Sequence, residues 1–252
     1  MKPKVSIITS TFNCQNHIQK TIDSIANQDY PNLEYLIIDG KSSDNTINII
    51  EQNQDKIDFF LSESDSGISE AFNKGIKHSN GDYLYFIGAG DTLKDNQVIS
   101  KMMENIDKDK DLLICGRVAR TSLDGKILWS TKYIKNFDKR SLLFKMSLPH
   151  QGLFTHKSLF DRYGLFDENN KYCMDYEHLL RYYKVFPKII TKDIIVASWN
   201  EGGIGSNKLL EVFNEYNYIK HKHKIASNIV LTIIHYWTIL KYKIKLFIKG
   251  SY

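Results

Sequence analysis

The sequence predicts an α/β fold, a mostly parallel sheet with helices on both faces, and three observations carry that expectation. Apolar runs of strand length alternate with segments whose apolar residues recur every three to four positions. The run Tyr83 to Ile87 is apolar at every position, as in a strand covered on both faces. Three successive runs also end among carboxylates, Asp39, Asp65 and Asp91. In a parallel sheet those ends share one edge, which is where open α/β sheets bind ligands.

The elements follow in order. Lys4 to Ser10 is a β-branched apolar run, a first buried strand closed by Thr11-Phe12-Asn13. From Gln15 to Ala26, Ile18, Ile22 and Ile25 keep a helical spacing. Asp29 to Asn32 is a turn, and Leu33 to Ile38 a second strand ending on Asp39. The loop from Gly40 to Thr46 offers several N-cap side chains before a helix from Thr46 to Asn53. Ile57 to Leu61 is a third strand, and Ser69 to Lys77 a helix with Ile68, Phe72 and Ile76 in register. The fourth strand runs into Gly88-Ala89-Gly90, where no bulky side chain stands, and then Asp91.

Beyond this point the pattern is less regular. Helices are expected over Asn96 to Ile106, Phe137 to Met146, Ser158 to Tyr163 and Tyr176 to Phe186. Strands are expected over Leu112 to Val118, Ile127 to Tyr133 and Ile189 to Ala197, the first two joined by a turn at Leu123 to Lys126.

The bulk properties exclude several classes. The 252 residues, 42% hydrophobic and 25% charged, suffice for a sizeable core. The net charge of +5 lies largely near the C-terminus, and without zinc-finger or RNP-like motifs nucleic acid is not the expected partner. Cys14, Cys115 and Cys173 lack metal or redox spacing and read as reduced, structural residues of a cytosolic protein. The N-terminus lacks the apolar region of a signal peptide. With no G-x-G-x-x-G after the first strand and no G-x-x-x-x-G-K-[ST] anywhere, a dinucleotide dehydrogenase or P-loop enzyme is not expected.

Asp39, Asp65 and Asp91 gathered on one edge repel one another unless a cation or a hydrogen-bonding ligand lies between them. A divalent cation, a ribose and a nucleobase would each serve. Any one of these acids could equally cap the next helix.

The ordered segments SIITSTFN (6–13), IIDGKSSDNT (37–46), ESDSGISEAFNKGI (63–76), GDYLYFIGAGD (81–91) and MDYEHLLR (174–181) resemble the family 2 glycosyltransferases, most closely bacterial polysaccharide enzymes of the colanic-acid type. The resemblance implies a glycosyltransferase A-type, Rossmann-like fold, a nucleotide-sugar donor (a uridine diphosphate sugar before others), Mn2+ or Mg2+, and inversion at the anomeric carbon. Carried onto this chain, it implies that Asp39 reads the nucleobase with Thr11 and Asn13 beside the nucleoside. Asp65 would lie near base and ribose, with Ser66 and Gly67 leaving room for backbone approach. Asn73 and Lys74 match a polar pair whose basic member faces the donor phosphates. Asp91 matches the last acid of the metal-holding D-x-D element, whose first acid is here replaced by Ala89. One protein carboxylate then has to share its cation with the donor diphosphate, so metal binding is expected to be weak without nucleotide and strong with it.

Asp175 matches the family's catalytic base, the group that takes the proton of the attacking acceptor hydroxyl. Its local sequence alone also suits an N-cap. Glu177 is the second candidate, although it projects to a different helical face. His150 and Gln151 fall in a segment that lies beside the active site in similar proteins. Gly203 and Ser206 belong to a glycine-rich stretch that reads either as a flap closing over the diphosphate or as a turn before a helix.

The expected organisation is a catalytic domain over 1–207, with its nucleotide-sugar half at about 1–95 and its acceptor half at about 96–207, and a basic amphipathic helical tail over 208–252. In the tail, Ile225 to Leu240 is apolar but shorter than the ~20 residues a span needs. Ile229, Ile233, Tyr236, Leu240, Ile244 and Phe247 fall on one stripe, with Lys241, Lys245 and Lys249 beside it. That pattern fits a helix lying on an anionic membrane face, here the inner face of the cell membrane, and equally a helix packed on the domain or a second subunit. The acceptor would be a growing polysaccharide or a lipid-linked oligosaccharide. Two rivals stand beside this reading: a nucleotidyltransferase, which wants a glycine-rich basic loop that TSTFNCQNH lacks, and a catalytically degenerate sugar-nucleotide-binding or scaffold protein, which Ala89 would suit.

Overall fold

The computed structural model describes residues 2–110, 112–122, 126–199 and 208–248. The first half alternates as expected: β1 (Val5–Thr11), α1 (Ile18–Ala26), β2 (Leu33–Asp39), α2 (Thr46–Glu51), β3 (Phe59–Ser62), α3 (Ile68–His78) and β4 (Tyr83–Gly88). The central strands are buried along most of their length, and their two faces supply two cores. Ile7, Tyr35, Ile37, Tyr83 and Tyr85 meet Ile18, Ile22 and Ile25 of α1 on one side. Ile8, Leu36, Ile38, Leu84 and Phe86 meet Ala71, Phe72 and Ile76 of α3 on the other. Burying such a side chain fully contributes about 1.5–3 kcal/mol. Gly75 lets α3 lie directly on β1, since a Cβ there would stand 2.3 Å from Cγ2 of Ile8.

The sheet order is β3-β2-β1-β4, with all three pairings parallel. The register aligns Thr11 with Asp39, Asp39 with Ser62, and Ser10 with Gly88, so the strand ends form one row. From β1 the chain first builds outward through β2 and β3 and then returns to add β4 on the other side. That reversal opens a crevice at the carboxyl ends of β1 and β4.

The second half contains β5 (Thr92–Leu93), α4 (Val98–Met103), β6 (Leu113–Thr121), β7 (Ile127–Ser130), β8 (Leu153–His156), α5 (Lys157–Tyr163), α6 (Met174–Arg181), β9 (Ile189–Trp199), α7 (Leu209–Lys222) and α8 (Asn228–Ile248). It continues the sheet as β4-β8-β6-β9-β5, with β7 paired to β6. Among the described residues, only β6 with β9 is parallel here; β4 with β8, β6 with β8, β5 with β9 and β6 with β7 run antiparallel. Parallel pairing thus describes the first half, and the second half is mixed. The two-residue β5 and four-residue β8 are too short to show a sequence period. The segment expected as a helix from Phe137 to Met146 holds only a 3₁₀ turn, Lys139–Leu143, and a second 3₁₀ turn, His150–Gly152, precedes β8. Of the expected turn at 123–126, residues 123–125 lie outside the described residues.

Within the expected helical tail, α7 packs on the rest of the chain: Ile219 is fully buried in a core with Leu142, Cys173, Tyr176 and Leu179. Lys220 is also buried, donates to the Leu143 carbonyl at 3.3 Å, and is pushed down to about 8 by its burial. The tail holds two helices, separated by a break in which Lys224 takes φ +47°. α8 packs on α7, with Phe213 and Tyr242 in edge-on contact, and buries Leu231 and Ile234. The predicted stripe faces outward, from 47% exposed at Leu240 to 75% at Ile229. Lys249 lies outside the described residues. Among the described residues, no helix is long and apolar enough to cross a membrane.

Candidate active site

The acids of the sheet edge fall into two groups with different chemistry. In the first, Asp39 is fully buried and acts as a knot. Its Oδ1 accepts from Thr11 Oγ1 (2.8 Å) and Ser42 Oγ (2.5 Å), and its Oδ2 from Ser42 N (2.8 Å) and Ser62 Oγ (2.7 Å). Those four donors fill the carboxylate's acceptor sites. Asn13, held at φ +47°, accepts from Ser43 N through Oδ1 and donates its own N–H to Ser42 Oγ. The expected base-reading acid therefore ties β1, β2 and β3 to the 40–46 loop. Ser42 and Ser62 were not among the expected site residues. Their only sequence signal was their place in or beside a small polar loop.

Asp65 comes close to this knot because Gly40 leaves room: a Cβ on Gly40 would stand 2.9 Å from Asp65 Oδ2. Its carboxyl is raised from the ordinary range by burial, with Glu70 and Asp39 adding to the effect, while the Gly67 N–H at 3.0 Å and Lys74 oppose it. Ser66 is turned to Glu70, donating through both N and Oγ. Gly67, at φ +141°, opens α3 in a conformation that L side chains rarely adopt.

The pair Asn73 and Lys74 is engaged within the fold. Asn73 is buried, and its amide bonds the Phe166 backbone in both directions and Glu168 at 2.9 Å, so it joins α3 to the segment before α6. Lys74 already has three partners: Glu63 at 3.0 Å, Glu70 at 3.0 Å and the Ser64 carbonyl at 2.9 Å. Burial works against its charge, but the Glu70 and Glu63 contacts outweigh it and hold Lys74 above its ordinary range. In this arrangement it is not open toward donor phosphates.

The second group lies at the carboxyl end of β4. Thr21 of α1 clips the exit turn, donating to the Asp91 carbonyl (2.8 Å) and accepting from Gly90 N (2.9 Å). Gly90 takes φ +104°, which favours glycine. Among the described residues, the Asp91 carboxylate meets one side-chain donor, Gln151 Nε2 at 3.2 Å. Burial pushes its carboxyl up to about 6, and the Gln151 contact only partly offsets this. Tyr85 Oη fixes the same turn by donating to the Gln151 carbonyl at 2.8 Å.

One residue earlier, His150 Nδ1 stands 3.5 Å from Asp175 Oδ2. Burial favours the neutral His150 imidazole, and Asp175 opposes that shift. Asp175 is not the N-cap of α6; Cys173 is, and Asp175 is the second helical residue, with Oδ1 accepting from Tyr176 N at 2.7 Å. The turn His150–Gly152 thus links Asp91 past β4 to Asp175 of α6. Neither the β8 pairing nor this bridge was visible in local sequence.

Glu177 is turned away from this group. It is buried and held by Arg181 (2.6 and 2.9 Å), His223 (2.7 Å) and Lys222 (3.1 Å). Burial alone would raise its carboxyl, but these partners push it down to about 2. Its role is a buried ion cluster between α6 and α7. Gly203 and Ser206 lie outside the described residues.

A cation at this edge can be tested against the side chains present. Among the described residues, no three His, Cys, Asp or Glu side chains gather as a ligand set. Among the described residues, Asp91 is nonetheless a half-buried carboxylate with one long hydrogen bond and no basic side chain in contact, so its desolvation is only partly compensated. It fits a divalent cation that takes its remaining oxygens from elsewhere.

A mixed sheet with a switch-point crevice, an acid past β4 and a second acid across it define a glycosyltransferase A-type fold, and comparison with known proteins agrees. Residues 6–166 match the family described as Glycosyl transferase family 2. The chain belongs to that family. It is 27% identical over 242 residues to a PGL/p-HBAD biosynthesis glycosyltransferase of Mycobacterium tuberculosis, covering 93% of this chain and 91% of the relative. The fold is similar to S. aureus TarS 1–349 in complex with UDP-GlcNAc, with TM-score 0.72, 17% identity, and coverage of 89% of this chain and 67% of that one. It spans 39% of the longer TarS chain. It is also similar to the mannosyltransferase PcManGT from Pyrobaculum calidifontis in complex with GDP-Man and Mn2+, with TM-score 0.69, 14% identity, and coverage of 100% and 76%.

Proposed function

We propose that this protein is an inverting glycosyltransferase that moves a sugar from a nucleotide donor, a uridine diphosphate sugar before others, onto a polysaccharide or lipid-linked acceptor. The observation that carries the reading is the 150–151 turn, which holds Asp91 through Gln151 and places His150 beside Asp175. An inverting transfer needs an anion-stabilising site at the leaving diphosphate and one base on the opposite side of the anomeric carbon. Asp91 and Asp175 supply one acid for each. The family match and the nucleotide sugars in the similar structures support the donor class.

Asp91 is the residue that would hold Mn2+ or Mg2+. When bound, such an ion compensates the negative charge growing on the leaving diphosphate. The chain's own residues do the rest. Gln151 orients Asp91, Thr21 and Gly90 keep the turn closed, and neutral His150 fixes the side of Asp175 away from Tyr176. Asp175 Oδ2 takes the acceptor hydroxyl proton as that oxygen attacks.

The test offers the purified protein a panel of nucleotide sugars with Mn2+ and follows nucleoside diphosphate release. Wild type should turn over one donor, and Asp175→Asn should lose about 10²–10⁴-fold while still binding the nucleotide. Pyrophosphate release would point to a nucleotidyltransferase, and binding without turnover to a scaffold.

The outward stripe of α8, with Trp237 52% exposed and Lys241 over its ring at 4.9 Å, supports peripheral contact with an anionic membrane at the inner face of the cell membrane. An Ile233→Glu, Tyr236→Glu variant should no longer sediment with phosphatidylglycerol vesicles, and unchanged sedimentation would refute the contact.

A further inference from the structure

We infer that α7, which local sequence places in the tail, is a positioning element for Asp175, with Glu215 its principal positioning residue. The inference rests on Asp175 as the base. The start of α6 is poorly provided for by its own sequence: its N-cap, Cys173, makes no side-chain capping hydrogen bond. The donors there are met from α7. Glu215 Oε1 accepts from Cys173 N at 3.0 Å and Tyr172 N at 3.1 Å, and Oε2 from Tyr172 N at 3.3 Å. A carboxylate at this end also suits the partial positive charge of a helix N-terminus. One turn earlier on α7, Glu211 accepts from Tyr172 Oη at 2.5 Å.

The far side of Asp175 is gripped as well. Glu177 is bonded to His223 at 2.7 Å and Lys222 at 3.1 Å, both from the end of α7. Between the two grips Tyr216 packs edge-on against Tyr176, with ring centroids 4.6 Å apart. Residues 172–177 are therefore clasped on both sides of Asp175 by one helix about forty residues later in the chain. A general base works only within hydrogen-bond reach of its proton, and a displacement of about 1 Å can cost ~10²-fold. Because Glu215 receives N–H groups and touches no reacting atom, its contribution is geometric.

The test uses the full chain. Glu215→Gln keeps an oxygen acceptor at the same reach. Glu215→Asp keeps the charge but withdraws the oxygens, and Glu215→Ala removes both. With the donor identified by the panel above, Gln should stay within about threefold of wild-type kcat, while Asp and Ala should lose ~10-fold or more. KM and uridine diphosphate affinity should hold within about twofold. Hydrogen exchange supplies a readout independent of turnover: amides of 172–177 should exchange faster in the Asp and Ala variants, with protection elsewhere unchanged. If Ala does not fold, Asp and Gln carry the comparison. Wild-type kcat in the Asp variant, a Gln variant as impaired as Asp, a rise in KM alone, or unaltered exchange at 172–177 would each overturn the inference. Full activity of Asp175→Asn would instead refute Asp175 as base, and exchange would still report on Glu215.

Discussion

Asp39 and Asp91 occupy the same edge of one sheet, yet their circumstances are opposite. Asp39 is fully buried and receives four hydrogen bonds. Asp91 is half-buried and, among the described residues, receives one at its carboxylate, from Gln151 at 3.2 Å. A carboxylate with every acceptor site filled is a structural joint, whereas one half-buried with most of its sites unfilled holds interaction capacity for something that arrives. Two acids on one sheet edge are therefore placed for different work, and what separates them is the supply of donors around each.

That contrast can be broken from the Asp39 side with the largest effect. Asp39→Ala leaves the Thr11, Ser42 and Ser62 hydroxyls and the Ser42 N–H without their acceptor, and should destabilise the protein by about 3–5 kcal/mol. Denaturant unfolding measures this. A loss below about 1 kcal/mol would mean that the knot is not structural.

Asp91 should behave in the reverse sense. Its folded carboxyl is raised to about 6, so its favourable contribution is present below the ordinary carboxylate range and lost as pH rises through about 6. Asp91→Asn should then stabilise the protein by on the order of 2 kcal/mol at pH 8 and by almost nothing at pH 4, while lowering turnover. Thermal melts at the two pH values, run without divalent cation, check the sign. Equal shifts at both would remove the distinction between the two acids.

The smallest effect is expected at Gln151. Gln151→Ala removes one long hydrogen bond, worth about 1 kcal/mol or less. Because that bond holds the Asp91 carboxyl down, its loss should move the acid limb of the pH–rate profile, expected near 6 in wild type, to higher pH. An unmoved limb would mean that Asp91 does not set it.

The first half was legible because its signals are local. β1, β2 and β4 are strands buried on both faces, so the runs KVSIITS, LEYLII and YLYFI are rich in apolar and β-branched residues, and α1 and α3 show their buried stripes at helical spacing. Strand direction follows from the alternation, and with it the placing of Asp39, Asp65 and Asp91 on one edge. Asp175 was legible only through its motif. The acceptor half offered little, because β5 and β8 are shorter than any period and β8 enters antiparallel between β4 and β6.

Residue types and their spacing were thus enough to specify the elements of the first half, the edge on which its acids gather, and an amphipathic character for the last helix. Tertiary packing decided the use of each polar side chain. It filled every acceptor site of Asp39, left Asp91 nearly bare, and closed Asn73 onto Phe166 and Glu177 onto Lys222 and His223. It also turned α7 inward to hold the segment that carries Asp175, while the stripe of α8 was left facing out. The reason is physical: an apolar pattern depends on neighbours three or four positions away, but the desolvation and hydrogen bonding of a carboxylate depend on donors brought from anywhere in the chain.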